Sequence, residues 1–416
     1  MKKVIGIYTF YLGNNEPFWD EGTTNLGGSE TWTNKIAEQF QKKGYHTIIF
    51  GNPSFWHFSS LGVEYVPRIF FNERCEYQHF DYFISSRTTY EINSNIKCNN
   101  IYIMSHEAHI NLANNYYDLK PNLFKKIGYL SEWHKDMLIE EYQNLSNKDF
   151  FKCSNGVDKF LYEDANIYEK KNMMVWSSCK ERGLKYFIDA IFPCIKRMVP
   201  DFELVICAYN NDIPENYKIL DGIKILGKLD KESLARLQKE SKIWIYLNYG
   251  DDEETGYRCH ETFCISAIEN SMAKNAIVCS NASGLNSTLN GYSGFIGTDM
   301  DLSFNNVTKE KRNALKNQAI EESIKILTDD DYRIKLAEES YEICKKATIY
   351  SENDKDLQYE ENDYLDEIMP MIVNGRKHIQ EYNIPQWING YPSRELIIDD
   401  INSNKGYVLL NEEEIV

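Results

Sequence analysis

The chain has 416 residues, too many for one hydrophobic core of ordinary size, so two domains are the expectation. Apolar residues make up 42% and aromatics 13%, which excludes global disorder. The net charge of −17, from 46 basic and 63 acidic residues, argues against non-specific binding to nucleic acid or anionic lipid.

The amino terminus runs directly into a strand-like segment with no secretory signal in view, and no apolar stretch approaches the roughly 20 residues of a membrane span. The ten cysteines are scattered without a CxxC pair, and several sit in apolar runs, as Cys207 does. That pattern reads as reduced thiols in a cytoplasmic protein.

Short β-like runs alternate with helix-like stretches. The first series is Val4–Phe10, Thr47–Phe50, Tyr82–Ser85, Ile101–Met104, Ile127–Leu130 and Phe151–Cys153. The second is Met173–Trp176, Leu204–Ala208, Ile223–Leu226, Ile243–Leu247, Ala276–Val278 and Gly294–Ile296. Between them lie amphipathic segments such as Glu30–Lys43, where Trp32, Ile36, Ala37 and Phe40 share a face and Gly44 is a stop. Strands alternating with helices call for parallel sheets covered on both faces. Two such series predict an α/β protein of two doubly wound domains, residues 1–163 and 164–348, with ligands at the carboxyl ends of the strands. Residues 349–416 change character: an acidic run, a predicted helix over Tyr359–Met369 ended by Pro370, then an irregular tail.

In chain order, the first chemical feature is the loop Asn25–Glu30. Gly27 and Gly28 let backbone approach a ligand closely, and the helix that follows offers N–H groups to a phosphate or carboxylate. The plainer reading is a glycine turn with Ser29 as cap. His106 ends a predicted strand, where an imidazole meets a cleft or, alternatively, is satisfied by backbone. His109 and His134 read as surface or structural. The Asn–Gly turn of Ser154–Asp158 reads as a hinge.

In the second series, Lys180 and Arg182 precede a helix start at Gly183. Arg offers a planar fork to phosphate oxygens and Lys a point charge, so both are candidates for a pyrophosphate site. The Asp251–Glu254 run reads as a solvated acidic loop rather than a metal site, so no metal is expected there. Glu261 and Glu269 flank a loop-to-helix junction. If the segment between them were helical, eight steps would separate them by roughly 12 Å. That is too far for a cooperating pair of the kind glycosidases place about 5–5.5 Å apart. It suits the two ends of an elongated ligand such as a nucleotide-sugar.

The spacing of Glu261 and Glu269, with the GGSE-type loop, His106, SNGVD, the RGLKYFIDA segment and IVCSNASG in order, resembles the retaining glycosyltransferases of family 4 (glycosyl transferases group 1). The resemblance covers roughly residues 1–350. It implies a GT-B fold, two Rossmann-like domains facing a cleft, with a C-terminal extension. It also implies metal-independent, retaining transfer of a sugar from a UDP- or GDP-sugar, bound by the second domain, to a glycan, lipid-linked or protein acceptor on the first. No other cofactor is implied.

The resemblance further assigns roles. Gly27 and Gly28 face the donor diphosphate, His106 contacts the donor sugar, and Glu107 is its acidic neighbour. Arg182 stands where the family usually has Lys, Ser177 where it has an earlier Arg, and Lys180 is the remaining cation. Glu261 meets the sugar hydroxyls, and Glu269 accepts from the ribose. Backbone N–H groups of Phe263, Cys264 and Ile265 face sugar and phosphate. Thr262 and Cys264 replace frequent glycines, which narrows the sugar pocket. Ser283 and Gly284 lie near the donor, and Thr288 takes the position of a usual glutamate. The alternatives are a sugar-nucleotide epimerase of similar fold and a non-catalytic scaffold.

Overall fold

A computed structural model describes residues 2–9, 18–23, 26–88, 95–107, 124–142, 145–207, 213–247, 260–300, 302, 308–345, 410–411 and 414–415. The chain divides into two compact units, Met1–Ile349 and Tyr350–Val416. Of the second, the described part is an antiparallel hairpin of β17 (Leu410–Asn411) and β18 (Glu414–Ile415). The predicted helix Tyr359–Met369 lies outside the described residues, as do His109 and the Asp251–Glu254 run.

The first unit begins with an eight-stranded sheet. Its strands are β1 (Val4–Thr9), β2 (His46–Gly51), β3 (His57–Phe58), β4 (Glu64–Pro67), β6 (Tyr82–Ser86), β8 (Ile101–Met104), β9 (Lys126–Tyr129) and β10 (Phe150–Lys152). The order is β10-β9-β8-β6-β1-β2-β4-β3, all parallel except the edge pair β3/β4. A short parallel pair, β5 (His79–Phe80) and β7 (Lys97–Cys98), stands apart. The strand order reverses between β1 and β6, so a crevice opens beyond Thr9 and Ser86.

Two three-stranded parallel sheets follow: β11 (Met173–Trp176), β12 (Glu203–Ile206) and β13 (Ile223–Ile225), then β14 (Ile243–Tyr246), β15 (Ala276–Ser280) and β16 (Phe295–Ile296). A parallel bridge between Lys171 and Ser241 joins them at the strand starts. The combined order, β13-β12-β11-β14-β15-β16, is doubly wound and reverses between β11 and β14. All five residues of β15 are buried, as a parallel strand covered on both faces requires.

The helix Gly28–Lys42 starts two residues earlier than its periodicity suggests. Glu30 stands in the first turn and Lys42 in the last, each favourable to the helix dipole, and Gly44 at φ +85° terminates it. Of the expected face, Trp32 and Ala37 are buried while Ile36 and Phe40 are half-buried. Ser29, Glu30, Thr33 and Asn34 are buried too, because the first turns face polar partners at the crevice as well as the core.

One apolar cluster runs from Trp32, Met104 and Leu130 in the first half to Trp176, Phe263 and Leu285 in the second, so the halves share packed surface. Among the described residues no helix is long and apolar enough to cross a membrane.

Candidate active site

The second-half crevice is built on the ends of β11 and β14. Trp176 and Tyr246 are their last residues, with rings 6.3 Å apart. After β11 the chain makes a single 3-10 turn, Lys180–Arg182, and then Gly183 adopts φ +98°. That left-handed step suits glycine and turns the chain into the helical run that starts at Leu184. Arg182 is thereby aimed across the crevice, where its guanidinium donates to a Glu261 carboxylate oxygen. The Tyr246 hydroxyl donates to the same oxygen at 2.8 Å. Glu261, and secondarily Tyr246, hold the Arg182 guanidinium firmly protonated. Burial, reinforced by Glu261, pushes the Tyr246 phenol far above its usual range. A small cavity lies beside them, lined by Trp176, Arg182, Gly183, Tyr186 and Leu247 among others.

The Glu261 segment is fixed by a close backbone approach. Gly284 N–H donates to Glu261 O at 2.6 Å, and a Cβ at Gly284 would stand 2.4 Å from that oxygen. Ser283, at φ +50°, turns the chain into this contact. Thr288 donates from Oγ1 to Phe263 O. Cys264, buried and at φ +69°, is the N-cap of the helix Ile265–Met272, with no side-chain cap on the first turn. The N–H groups and positive dipole end of that helix therefore point to the same crevice.

Glu269 lies farther along that helix and is buried. Its carboxylate accepts from Lys231 Nζ at 2.7 Å and meets Gln238 Nε2 at 3.5 Å. Gln238 in turn accepts from the Tyr162 hydroxyl at 2.7 Å.

From the first half, His106 and Gly28 face this region. Thr262 Oγ1 donates to His106 O at 3.0 Å, and Ser131 Oγ donates to Thr262 O at 2.6 Å. A Cβ on Gly28 would touch Ile265 at 3.4 Å. Trp133 stacks on His260 at 5.3 Å, and the Trp133 backbone N–H donates to Ser287 Oγ at 3.1 Å. The His106 ring is buried edge-on against Trp32, and among the described residues its Nε2 has no hydrogen-bond partner. Burial, then the Arg87 charge and His134, push its pKa down to about 3, so it is neutral at physiological pH.

The structure thus brings Arg182 and Glu261 together, with Thr262 joining them to His106. Phe263, Cys264 and Ile265 lie at the helix start, Gly27 and Gly28 opposite. Lys180 sits half-buried in the same turn as Arg182. Glu269, farther along the helix that starts at Ile265, lies in a buried polar cluster with Lys231. His134 is fully buried, with Nε2–H donating to Glu107 O at 2.9 Å and Nδ1 accepting from Leu130 N. It is structural.

Sequence reasoning passed over Tyr246, Lys231 and Arg87. Tyr246 lies in a predicted strand and Arg87 just beyond another, so the switch-point rule alone would have found both. Arg87 follows β6 at φ +73° and donates to Glu30 at 3.0 Å, Glu107 at 2.6 Å and Ser29 at 2.9 Å. Lys231 gave no signal, being 38 residues from its partner.

No protein-family model matches the sequence, and comparison with curated proteins finds no match. Solved structures do match. A glycosyltransferase from Rickettsia africae aligns at TM-score 0.57 and 15% identity, over 83% of this chain and 94% of that one. Sucrose-phosphate synthase from Thermosynechococcus elongatus aligns at 0.55 and 13%, over 83% and 95%. HepE of Anabaena, solved with UDP and glucose, aligns at 0.52 and 12%, over 84% and 96%. The fold is GT-B. In GT-B terms the eight-stranded sheet is the first Rossmann-like layer, β11 to β16 form the second, and Arg182, Tyr246 and Glu261 stand at the second layer's switch point.

Proposed function

We propose that this GT-B protein is a retaining glycosyltransferase of the family-4 type, moving a sugar from a UDP- or GDP-sugar to an acceptor hydroxyl. One observation favours this reading above the others. The ion pair of Arg182 with Glu261, shared by Tyr246, lies at the β11/β14 switch point beside the uncapped start of the helix Ile265–Met272. A cation, a carboxylate and a helix amino terminus in one crevice can hold both the anionic and the hydroxyl-rich end of a nucleotide-sugar. HepE, solved in complex with UDP and glucose, is a neighbour of the same fold.

In the proposed reaction the bond from the anomeric carbon to the diphosphate oxygen breaks and a bond to the acceptor oxygen forms on the same face. The acceptor proton passes to the departing diphosphate oxygen. Arg182, with Lys180 and the helix N–H groups, stabilises charge growing on that leaving group, so no metal is needed at the reacting atoms. The arriving diphosphate competes with Glu261 for Arg182, and Glu261 then accepts from the sugar hydroxyls. Glu269 accepts from the ribose, whose hydroxyls compete with Lys231 and Gln238 for its carboxylate. Neutral His106 offers an uncharged ring nitrogen toward the sugar. The acceptor, a glycan, a lipid-linked sugar or a protein, docks on the first Rossmann-like layer near Gly27 and Gly28. The described cysteines are free thiols, which fits a reducing, cytoplasmic setting.

The test is proton NMR of the full chain incubated with UDP- and GDP-sugars and simple glycoside acceptors. The reading expects a new glycoside with the donor's anomeric configuration. Inversion would refute retention. An epimerised donor with no glycoside formed would favour the epimerase.

A further inference from the structure

Away from that crevice, Asp20, Glu21 and His57 bring one ligand atom each to within 4.8 Å of one another. They lie beside the edge strand β3, where the turn after Trp19 meets the loop that leads into His57. Trp19 N–H donates to Asn52 O at 3.0 Å, which ties the two segments together.

The imidazole of His57 faces acceptors on both sides. Nδ1 is 3.0 Å from Phe55 O, while Nε2 is 3.4 Å from Glu21 Oε2 and 3.9 Å from Asp20 Oδ2. The shorter contact sets Nδ1 toward Phe55 O and leaves Nε2 facing the two carboxylates.

One imidazole nitrogen and one oxygen from each carboxylate therefore converge on a single region. Ligands of a tetrahedral ion, with bonds of about 2.0–2.2 Å, stand about 3.3–3.6 Å apart. The 3.4 Å contact falls in that span, and 3.9 Å is reached by a small carboxylate rotation.

The surroundings hold the donors ready. Asp20 Oδ1 accepts from Gly22 N–H at 3.0 Å and Thr23 Oγ1–H at 3.2 Å, leaving Oδ2 toward the histidine. The His57 ring stacks on Tyr65 at 5.2 Å and 7°. A backbone carbonyl on the second ring nitrogen is the arrangement that orients metal-bound histidines.

We propose that Asp20, Glu21 and His57 bind one divalent transition-metal ion, of which Zn²⁺ suits one imidazole and two carboxylates, with a fourth position open to water. The ion clamps the Asp20–Thr23 turn, which leads toward Gly27 and Gly28, onto the loop before β3. It shares no residue with the proposed transfer site, so its failure and the failure of that reading are distinguishable.

Chelator-treated full-length protein is titrated with Co²⁺ and, separately, warmed with and without Zn²⁺. The expected result is one Co²⁺ per chain with visible bands but no thiolate charge-transfer band, and a higher melting temperature with Zn²⁺. His57→Gln should weaken binding by about 100-fold, in the range known for perturbed metal shells. If that variant folds poorly, Asp20→Asn keeps the ring stack and should lose the Zn²⁺ shift in the same way. No binding at millimolar metal, a thiolate band, or equal binding by both variants would overturn the proposal and leave an ion pair only.

Discussion

Arg182 and Glu261 pair across the crevice between β11 and β14, and Tyr246 donates to the same carboxylate oxygen. The residue expected at the donor's diphosphate and the one expected at its sugar hydroxyls therefore hold each other. Replacing Arg182 by Ala leaves a largely buried Glu261 with the Tyr246 phenol still donating to it. The expected destabilisation is about 1–2 kcal/mol, modest because a third of the guanidinium is exposed. Arg182→Ala/Glu261→Gln should recover most of it, as a denaturant double-mutant cycle would show. Turnover of Arg182→Ala should fall about 10²–10³-fold, the scale of losing one group that stabilises the leaving charge. An unchanged rate would count against the assignment.

Gly284 sets where Glu261 stands. A methyl group there would press on Glu261 O at 2.4 Å and Thr262 C at 2.5 Å, both backbone atoms that cannot swing aside. Gly284→Ala should cost about 1–3 kcal/mol and displace Glu261. Thermal melting and donor affinity should fall together, and a variant with normal affinity would show that this contact is slack.

At Arg87 the backbone and the side chain make opposite demands. The left-handed φ of +73° favours glycine, while Glu30, Glu107 and Ser29 all accept from the guanidinium. Both Arg87→Gly and Arg87→Ala lose the ion pairs, but only Ala retains the strain. The glycine variant should be more stable than the alanine variant by about 1 kcal/mol. Urea midpoints decide it, and equal midpoints would mean the loop relaxes.

Two buried histidines give the fold an acid sensitivity. Burial lowers His106 to about 3 and His134 to about 4, from an ordinary 6.5. Above pH 6.5 both are neutral whether folded or not. As pH falls from 6.5 toward 4 and 3, the unfolded chain takes up protons that the folded chain refuses, so stability drops. The slope approaches about 1.4 kcal/mol per pH unit for each histidine. Urea midpoints at pH 7 and pH 5 should reveal it, and His134→Gln should flatten the difference. An equal loss in that variant would place the sensitivity elsewhere.

The alternation of apolar runs was enough to find the central strands, because parallel strands covered on both faces are continuous apolar segments, as in Ile243–Tyr246. The edge strand β3 and its neighbour β4 escaped, since His57 and Glu64 interrupt any alternation there. Arg182, Glu261 and Gly284 were legible as motif positions. Their mutual contacts were not, because each depends on a left-handed residue, Gly183, Cys264 or Ser283, whose conformation composition does not announce. Lys231 on Glu269, and Asp20 and Glu21 with His57, are long-range pairings of the kind only a folded chain reveals.

The central claim is that a nucleotide-sugar lies in this crevice with its ribose on Glu269. Calorimetric titration of UDP, GDP and their sugar conjugates into the wild-type chain and Glu269→Ala tests it most directly. The account predicts one-to-one binding of one nucleotide series, weakened at least tenfold in the variant, about 1.4 kcal/mol. Heat from neither series, or equal affinity in both proteins, would contradict it.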